Sequence, residues 1–266
     1  MRTVFLVCAL GIGLLRPAHG APLDPCIAPS ERITGHVVRV EVNGALILDD
    51  GRAAVLEGIR LPKGGADRAP QFLAAQALNA LSGLAVNRVV TLALRDPKED
   101  RYGRLRAQVY VDDTWVQLAL LREGFARAAP APARGECART FDAAENSART
   151  ARLGLWAAGA YALRTPDTIS NADLGTFQIV EGRVENASVK GGRAYLNFGT
   201  DWKTDFTVTI APDDMARFRA ANIDPRDYAG KTVRVRGFVD RLNGPEIEIG
   251  TPAAIAILPD ARDVRR

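Results

Sequence analysis

Two pairs of adjacent aspartates are the first side chains in the sequence with the chemistry of a metal site. Asp49-Asp50 and Asp112-Asp113 offer carboxylate oxygens, the ligands that hard cations such as Ca²⁺ prefer. Each pair falls between two predicted strands, where aspartates are common because they stabilise tight turns. We therefore predict turns at both places and keep a metal site there as the alternative.

Other catalytic patterns are missing from the sequence. It contains no GxSxG, HExxH or P-loop motif, so a serine hydrolase, a zinc protease and a nucleotide triphosphatase all lack a starting point. His36 lies in a predicted strand without a nearby Cys or Ser partner. We expect it to be a packed or surface strand residue.

The N-terminus has the pattern of a secretory signal peptide. A positive start precedes the apolar run Val4–Leu15, which is too short to span a bilayer, and small residues lead up to Gly20. We predict cleavage near Gly20 and export to the periplasm or the medium, with no membrane span in the mature chain. An uncleaved buried helix is the alternative.

Export changes the cysteine count. Cys8 leaves with the signal peptide, so Cys26 and Cys137 remain as an even pair in an oxidising compartment. We predict that they form a disulfide, with two separate buried thiols as the alternative. Since no CxxC spacing exists, a Cys–His metal site is poorly supported.

Composition and charge are those of an ordinary folded protein. Hydrophobic residues make up 47% and charged residues 25% of the 266 residues, which excludes a disordered chain. The formal net charge of +4 falls to +2 when Arg2 and Arg16 leave with the signal peptide. This slightly basic balance is compatible with a polyanion as partner.

The elements that position these residues follow the same order twice. The first half has the predicted strands Ile33–Val42, Leu46–Leu48, Ala54–Ile59, Arg88–Leu94 and Leu105–Val111, and the predicted helices Pro70–Gly83, Val116–Glu123 and Ala138–Arg152. The second half has the predicted strands Phe177–Val184, Arg193–Gly199, Asp205–Ile210, Lys231–Val239 and Pro245–Gly250, with a helix at Pro212–Ala221. Three strands, a helix and two strands are the order of an OB-type barrel.

The predicted fold class is therefore β-rich α+β, with two OB-type five-stranded barrels, the first flanked by helices. The predicted divisions are a signal peptide (1–20), an N-terminal arm (21–32), the first barrel domain (33–156), a linker (157–175), a C-terminal OB-like domain (176–260) and a tail (261–266). The dipeptide Asn43-Gly44 predicts a type I′ hairpin turn between the first two strands.

One stretch carries a family resemblance. The run DRYGRLRAQVYVDD, with LREGFA after it and GLW closing the last helix, makes the segment from about Ile33 to Trp156 resemble the staphylococcal nuclease (thermonuclease) family. Relatives of this kind cleave DNA and RNA phosphodiesters with one Ca²⁺, carboxylates that hold it, a glutamate base and two arginines. The resemblance implies these functions only where the residues match.

Most of the matching positions have changed. The metal-binding Asp position is Gly44, the neighbouring Thr position is Ala45, the first catalytic Arg position is Val55, the second metal carboxylate position is Arg60, and the general-base Glu position is Lys63. Only Arg104 matches. Because Arg60 and Lys63 would repel a cation and cannot deprotonate water, we predict that calcium binding and catalysis are lost.

The remaining cations predict a different use of the site. Arg60, Lys63, Arg101 and Arg104 are candidate phosphate-binding residues that would hold a phosphate without cleaving it. The alternative is that Arg104 pairs with Asp100 and the others are solvated. The family tyrosines that pack on the bound nucleotide fall near Pro130-Ala131-Pro132, where no aromatic residue exists.

The second barrel contains a run of aromatic residues with cations nearby. Tyr195, Trp202 and Lys203 are candidates for stacking bases and following a nucleic-acid backbone. Phe198 and Phe206 are expected to be core residues instead.

These features predict an exported, catalytically degenerate nuclease-like protein that binds nucleic acid or another phosphate-bearing polymer. We expect that the protein is not an enzyme, and we expect no bound cofactor or metal. One alternative is an active phosphodiesterase with a metal site relocated to Asp49 and Asp50. Another is an envelope protein-interaction or structural module whose barrels bind a protein partner.

Overall fold

The computed structural model describes residues 26, 29–131, 135, 137–201 and 203–259. The predicted signal peptide, most of the N-terminal arm, Trp202 and the predicted tail lie outside this part of the chain. The first half contains β1 (Glu31–Val40), β2 (Leu46–Leu48), β3 (Ala53–Leu56), β4 (Ile59–Arg60), α1 (Gln71–Ala85), β5 (Val89–Glu99), β6 (Leu105–Val111), β7 (Thr114–Trp115), α2 (Val116–Arg122), β8 (Arg127–Ala128) and α3 (Ala138–Thr150).

Five of these strands close into a barrel. β1 pairs antiparallel with both β2 and β5, β2 pairs with β3, and β5 pairs with β6. The parallel pairing of β3 with β6, in which Ala54 lies opposite Leu105, completes the circuit. The predicted OB-type topology of the first barrel is confirmed.

Helix α1 buries one face, with Leu81 and Ala85 in the core of this barrel and Leu73 in a separate apolar cluster. Leu73, Ala77, Leu81 and Ala85 recur every fourth residue and are buried, which is the spacing of one helix face. The helix therefore fixes the position of the segment just before it, which contains Arg60 and Lys63.

The predicted strand Ala54–Ile59 is interrupted in the structure. Gly58 adopts a φ of +83°, which divides the run into β3 and the short β4. A Cβ at this position would lie 2.8 Å from Cε2 of Phe141, so the bend also needs a residue without a side chain. β4 then pairs with β8, outside the barrel.

The predicted type I′ turn at Asn43-Gly44 is wrong. Gly44 has a φ of +85°, but Asn43 does not share the positive φ that a type I′ turn requires. The N–H of Glu41 donates to the carbonyl of Ala45 at 2.8 Å, and the N–H of Gly44 donates to the carbonyl of Glu41 at 2.8 Å. The hairpin therefore has a three-residue loop with its left-handed glycine in the last place.

The second half forms another OB-type arrangement. Its elements are β9 (Phe177–Arg183), β10 (Asn186–Lys190), β11 (Arg193–Asn197), β12 (Thr207–Ile210), α4 (Met215–Ala220), β13 (Thr232–Arg241), β14 (Pro245–Glu248) and β15 (Ile255–Ile257). β12 pairs parallel with β14, and β13 pairs antiparallel with β9, β14 and β15. Neither β10 nor β15 is among the strands predicted from the sequence.

The first strand of this barrel changes partner at one point. The N–H of Val184 donates to the carbonyl of Lys231, before β13, at 2.9 Å, and the N–H of Glu185 donates to the carbonyl of Asn197, in β11, at 2.9 Å. β9 and β10 thus act as two halves of one strand, one half on each side of the break, and the sheet curves round on itself.

The two barrels pack against each other through a small apolar cluster. Its buried members are Leu73, Ala148, Leu155, Trp156, Tyr161, Phe177 and Ile179. The segment predicted as a linker takes part, because it contains three short 3₁₀ turns and buries Tyr161. Buried ion pairs surround the cluster, and the guanidinium of Arg236 lies 2.8 Å from the carboxylate of Glu145.

A disulfide joins Cys26 to Cys137, as predicted. Such bonds are typical of proteins that fold outside a reducing compartment. Within the described residues, no helix has the length and apolar composition needed to cross a bilayer.

Candidate functional site

A cleft of about 550 Å³ opens on the first barrel between the β1–β2 loop, the end of β3 and helix α1. Its lining includes five of the six positions compared above with metal-binding and catalytic residues of the nuclease family, namely Gly44, Val55, Arg60, Lys63 and Arg104, while Ala45 is not among the lining residues. Arg101 is not among the lining residues. The fold therefore brings together four of the substituted positions and the one matching arginine.

The residues present in this cleft do not fit a calcium ion. No aspartate or glutamate is among its described lining residues, and Gly44 has no side-chain oxygen. The amide oxygen of Asn43 accepts a hydrogen bond from the N–H of Ala45 at 2.9 Å. Calcium needs six to eight oxygen ligands, most of the binding energy coming from anionic ones.

The alternative metal site at Asp49-Asp50 also lacks a ligand set. Asp50 forms an ion pair of 2.6 Å with Arg52, and this contact lowers the pKa of the Asp50 carboxyl. Across the described part of the chain, no group of three or more His, Cys, Asp and Glu side chains is placed to hold a metal ion.

Positive charge dominates the cleft. Lys63 is exposed, and the pKa of its ammonium group is lowered by partial burial and by the nearby guanidinium groups of Arg60 and Arg104, while Asp67 opposes this shift. A cation whose pKa is lowered by other cations lies in a positive field. An anion entering the cleft would therefore be attracted, and a metal cation repelled.

Arg104 is already paired. Its guanidinium contacts the carboxylate of Asp100, with Nη2 2.6 Å and Nε 2.8 Å from Oδ2. This is the pairing given above as the alternative for Arg104. Its charge at the cleft is therefore partly neutralised.

Arg101 lies apart from the cleft lining and contacts an aromatic residue. Its guanidinium carbon is 4.8 Å from the ring centre of Tyr102, and its Nη2 donates to the Tyr102 hydroxyl at 2.7 Å. Arg104 approaches the same ring at 5.2 Å. Tyr102 is two-thirds exposed, so it is available as a stacking surface beside the cleft.

Arg60 points towards the second barrel. Its guanidinium carbon lies 4.7 Å from the ring centre of Phe238 and 5.8 Å from that of Phe177. Its Nη2 is 3.5 Å from Oδ1 of Asp67. Arg60, compared above with the family's second metal carboxylate, therefore contacts both barrels.

Asp67 is the centre of a buried polar network that the sequence analysis missed. Its Oδ2 accepts hydrogen bonds from the backbone N–H of Lys63 at 2.8 Å, from Nη2 of Arg127 at 3.1 Å and from the hydroxyl of Tyr161 at 3.0 Å. Arg127 also donates to the carbonyl of Phe177 at 2.6 Å. The network fixes the Arg60–Lys63 segment relative to the second barrel.

Burial shifts the ionisation of this network. The pKa of Arg127 is lowered by its removal from water, with Asp67 acting in the opposite direction. The pKa of Tyr161 is raised, first by burial and then by the negative charge of Asp67. No local sequence signal identifies these residues, because isolated Asp and Arg residues are usually solvated and their partners here are distant along the chain.

The second-barrel candidates are placed differently from one another. Tyr195 lines a groove on β11, whereas Lys203 is not among the lining residues of that groove and Trp202 lies outside the described residues. Phe198 and Phe206 are buried, with ring centres 5.1 Å apart, so their prediction as core residues is confirmed.

Residues 54–158 match the family model of staphylococcal nuclease homologues, and this range is less than half of the chain. No curated protein gives a significant match. The match contains β3 to α3, which includes the closing strand pair of the barrel and most of the cleft. The chain therefore contains a staphylococcal-nuclease-like domain, which is built on a closed five-stranded OB-type barrel.

Proposed function

We propose that this is an exported protein whose nuclease-like domain no longer cleaves and instead binds a phosphate-bearing polymer, with nucleic acid as the expected ligand. The observation that supports it is the convergence of Gly44, Arg60 and Lys63 on one cleft. These residues stand where the family resemblance would place two metal ligands and a base.

The chemistry of the cleft favours binding over hydrolysis. Neither a guanidinium nor an ammonium group accepts a proton from water near neutral pH. Loss of a general base alone lowers a rate by roughly 10²–10⁴-fold, and here the metal ligands are replaced as well. The same cations attract a phosphate group without any need for a metal.

Lys63 is the side chain best placed to contact a phosphate. It is exposed in the cleft, while Arg104 is held by Asp100 and Arg60 by Asp67 and two rings. Tyr102, next to Arg104, offers a ring on which a base could stack. We therefore expect moderate, salt-sensitive binding with little dependence on sequence.

Fluorescence anisotropy with single-stranded DNA tests the binding. We expect affinity to fall steeply between about 50 and 200 mM salt. Lys63→Gln should weaken binding and reduce the slope of log K against log salt by about 1. The matched control is Lys231→Gln, which removes an exposed lysine from the second barrel and should leave the slope unchanged. Binding that ignores both salt and Lys63 would contradict the proposal.

Incubation of the purified protein with DNA and Ca²⁺ tests the loss of catalysis. We expect no release of soluble nucleotides with calcium or with any other divalent cation. Calcium-dependent cleavage that disappears when Asp49 and Asp50 are both changed to Asn would instead establish the relocated metal site.

Export is supported by the apolar N-terminal run and by the disulfide. It is tested by N-terminal sequencing of the protein recovered from the producing cells. We expect the mature chain to begin after Gly20, and an intact Met1 would contradict export by a cleaved signal.

A further inference from the structure

A second and larger groove lies on the outer face of the second barrel. It has a volume of about 950 Å³ and is bounded by β10, β11, the loop after β11 and the turn between β13 and β14. None of its lining residues belongs to the cleft of the first barrel. It is therefore a separate site.

The strand alternation of β11 directs polar side chains into this groove. Ala194 and Leu196 are buried in the barrel core, so Tyr195 and Asn197 project from the opposite face. Both of them line the groove.

Strand register extends this polar surface across three strands. Asn197 lies opposite Asn186 on one side and Thr207 on the other, and Tyr195 lies opposite Ser188. The Thr207 hydroxyl donates to the amide oxygen of Asn197 at 3.3 Å. Amide and hydroxyl groups thus line a continuous surface beside one aromatic ring.

The charges around the groove do not favour a polyanion. Its charged lining residues are Glu185 and Lys190, which have opposite signs. The neighbouring Arg193 is paired with Glu248, and the buried Glu246 accepts a hydrogen bond from Thr209 beside it. A phosphate backbone would find no excess of cations here, unlike in the first barrel.

We infer that this groove binds a neutral oligosaccharide. Each sugar hydroxyl needs a donor and an acceptor, and amide and hydroxyl side chains offer both within one group. The Tyr195 ring offers a flat apolar surface to the C–H face of a sugar ring, with a polar tip beside it. OB barrels use the corresponding strand face and its loops to bind oligosaccharides or oligonucleotides, and the charge of this groove favours the former.

Isothermal titration calorimetry on the full chain tests this inference. The probes are the hexasaccharides of α-1,4-glucose, β-1,4-glucose and β-1,4-N-acetylglucosamine, with oligothymidylate as the competitor. We expect at least one hexasaccharide to bind with a Kd of about 1 mM or tighter. Oligothymidylate should not displace it.

Substitutions at two positions locate the binding. Tyr195→Ala should weaken it about tenfold or more, whereas Tyr195→Phe keeps the ring and should change it little. Asn186→Ala, at an exposed position on the rim, should also weaken it. Circular dichroism spectra matching those of the parent protein show that each variant is folded.

Lys63→Gln separates the two sites. It should leave oligosaccharide binding unchanged, while it weakens DNA binding at the first barrel. The inference is overturned if none of the three hexasaccharides binds, if Tyr195→Ala binds as well as the parent protein, or if oligothymidylate occupies the groove in place of the sugar. None of these results would affect the proposal for the first barrel.

Discussion

The guanidinium carbon of Arg60 lies 4.7 Å from the ring centre of Phe238, although the two residues belong to different barrels. Phe238 in turn meets Phe177 edge to face, with ring centres 5.6 Å apart. An arginine that occupies a metal-ligand position in the family comparison thus stabilises contact between the barrels. Arg60 offers no oxygen ligand to a cation and adds an interface contact.

This contact predicts the effect of substitutions at Arg60. Arg60→Met removes the cation–π contacts and should lower the free energy of unfolding by about 1–2 kcal/mol. Arg60→Asp should lower it further, because it adds a negative charge beside Asp67. Urea unfolding measures both. Equal stability of the two variants would contradict this, and Arg226→Met, at an exposed ion pair, is the control.

Introducing a carboxylate at Gly44 should lower stability. Gly44 has a φ of +85°, and a Cβ there would lie 2.7 Å from Cδ1 of Leu61. We expect Gly44→Asp to lower stability by about 1–2 kcal/mol and not to create calcium binding. Gly51→Asp is the matched control, since Gly51 has a similar φ of +87° but no atom within 4 Å of the added Cβ. It should cost less, as judged by urea unfolding.

Asp67 should be among the most sensitive positions in the chain. Asp67→Asn leaves the buried guanidinium of Arg127 without its counter-charge, which should lower stability by about 3–5 kcal/mol. Adding Arg127→Met to this variant should recover part of the loss, because the uncompensated charge is then removed. Asp100→Asn, at the half-exposed pair with Arg104, should have a smaller effect. Chemical denaturation of all four proteins checks the order.

The disulfide should contribute strongly to stability. Cys26 and Cys137 are 111 residues apart, and closing a loop of this length restricts the unfolded chain by up to about 4–5 kcal/mol. We expect a reducing agent to lower the melting temperature of the parent protein. The double variant Cys26→Ser, Cys137→Ser should melt at the lower temperature with or without reductant, and a reductant effect on it would point to another cause.

Glu246 should give a pH-dependent difference in stability. Burial raises the pKa of its carboxyl above 4.5, so the folded state binds its proton more tightly than the unfolded state does. This contribution to stability is present below pH 4.5 and is lost as the pH rises through the folded-state pKa. Glu246→Gln should therefore be more stable than the parent protein at neutral pH, and the difference should shrink as the pH falls through the folded-state pKa towards 4.5. Urea midpoints across this range test the sign.

Much of the fold could be predicted from local patterns. The four-residue spacing of Leu73, Ala77 and Leu81 is a consequence of which side chains face the protein interior. The strand β10 was missed because it contains mainly small and polar residues, and only its pairing with β11 makes it a strand. Hydrogen bonding between segments is not visible in the composition of either one.

The sequence by itself determined the order of the elements, the available cysteine pair and the residue types at the positions compared with the family, because each of these depends on residue identity along the chain. Only the tertiary structure decided which charges remain available. Arg104 is held by Asp100, Arg60 is held by Asp67 and by rings of the other barrel, and Lys63 remains exposed. The energy of a charge depends on its distance from other charges and from water, and folding sets both distances.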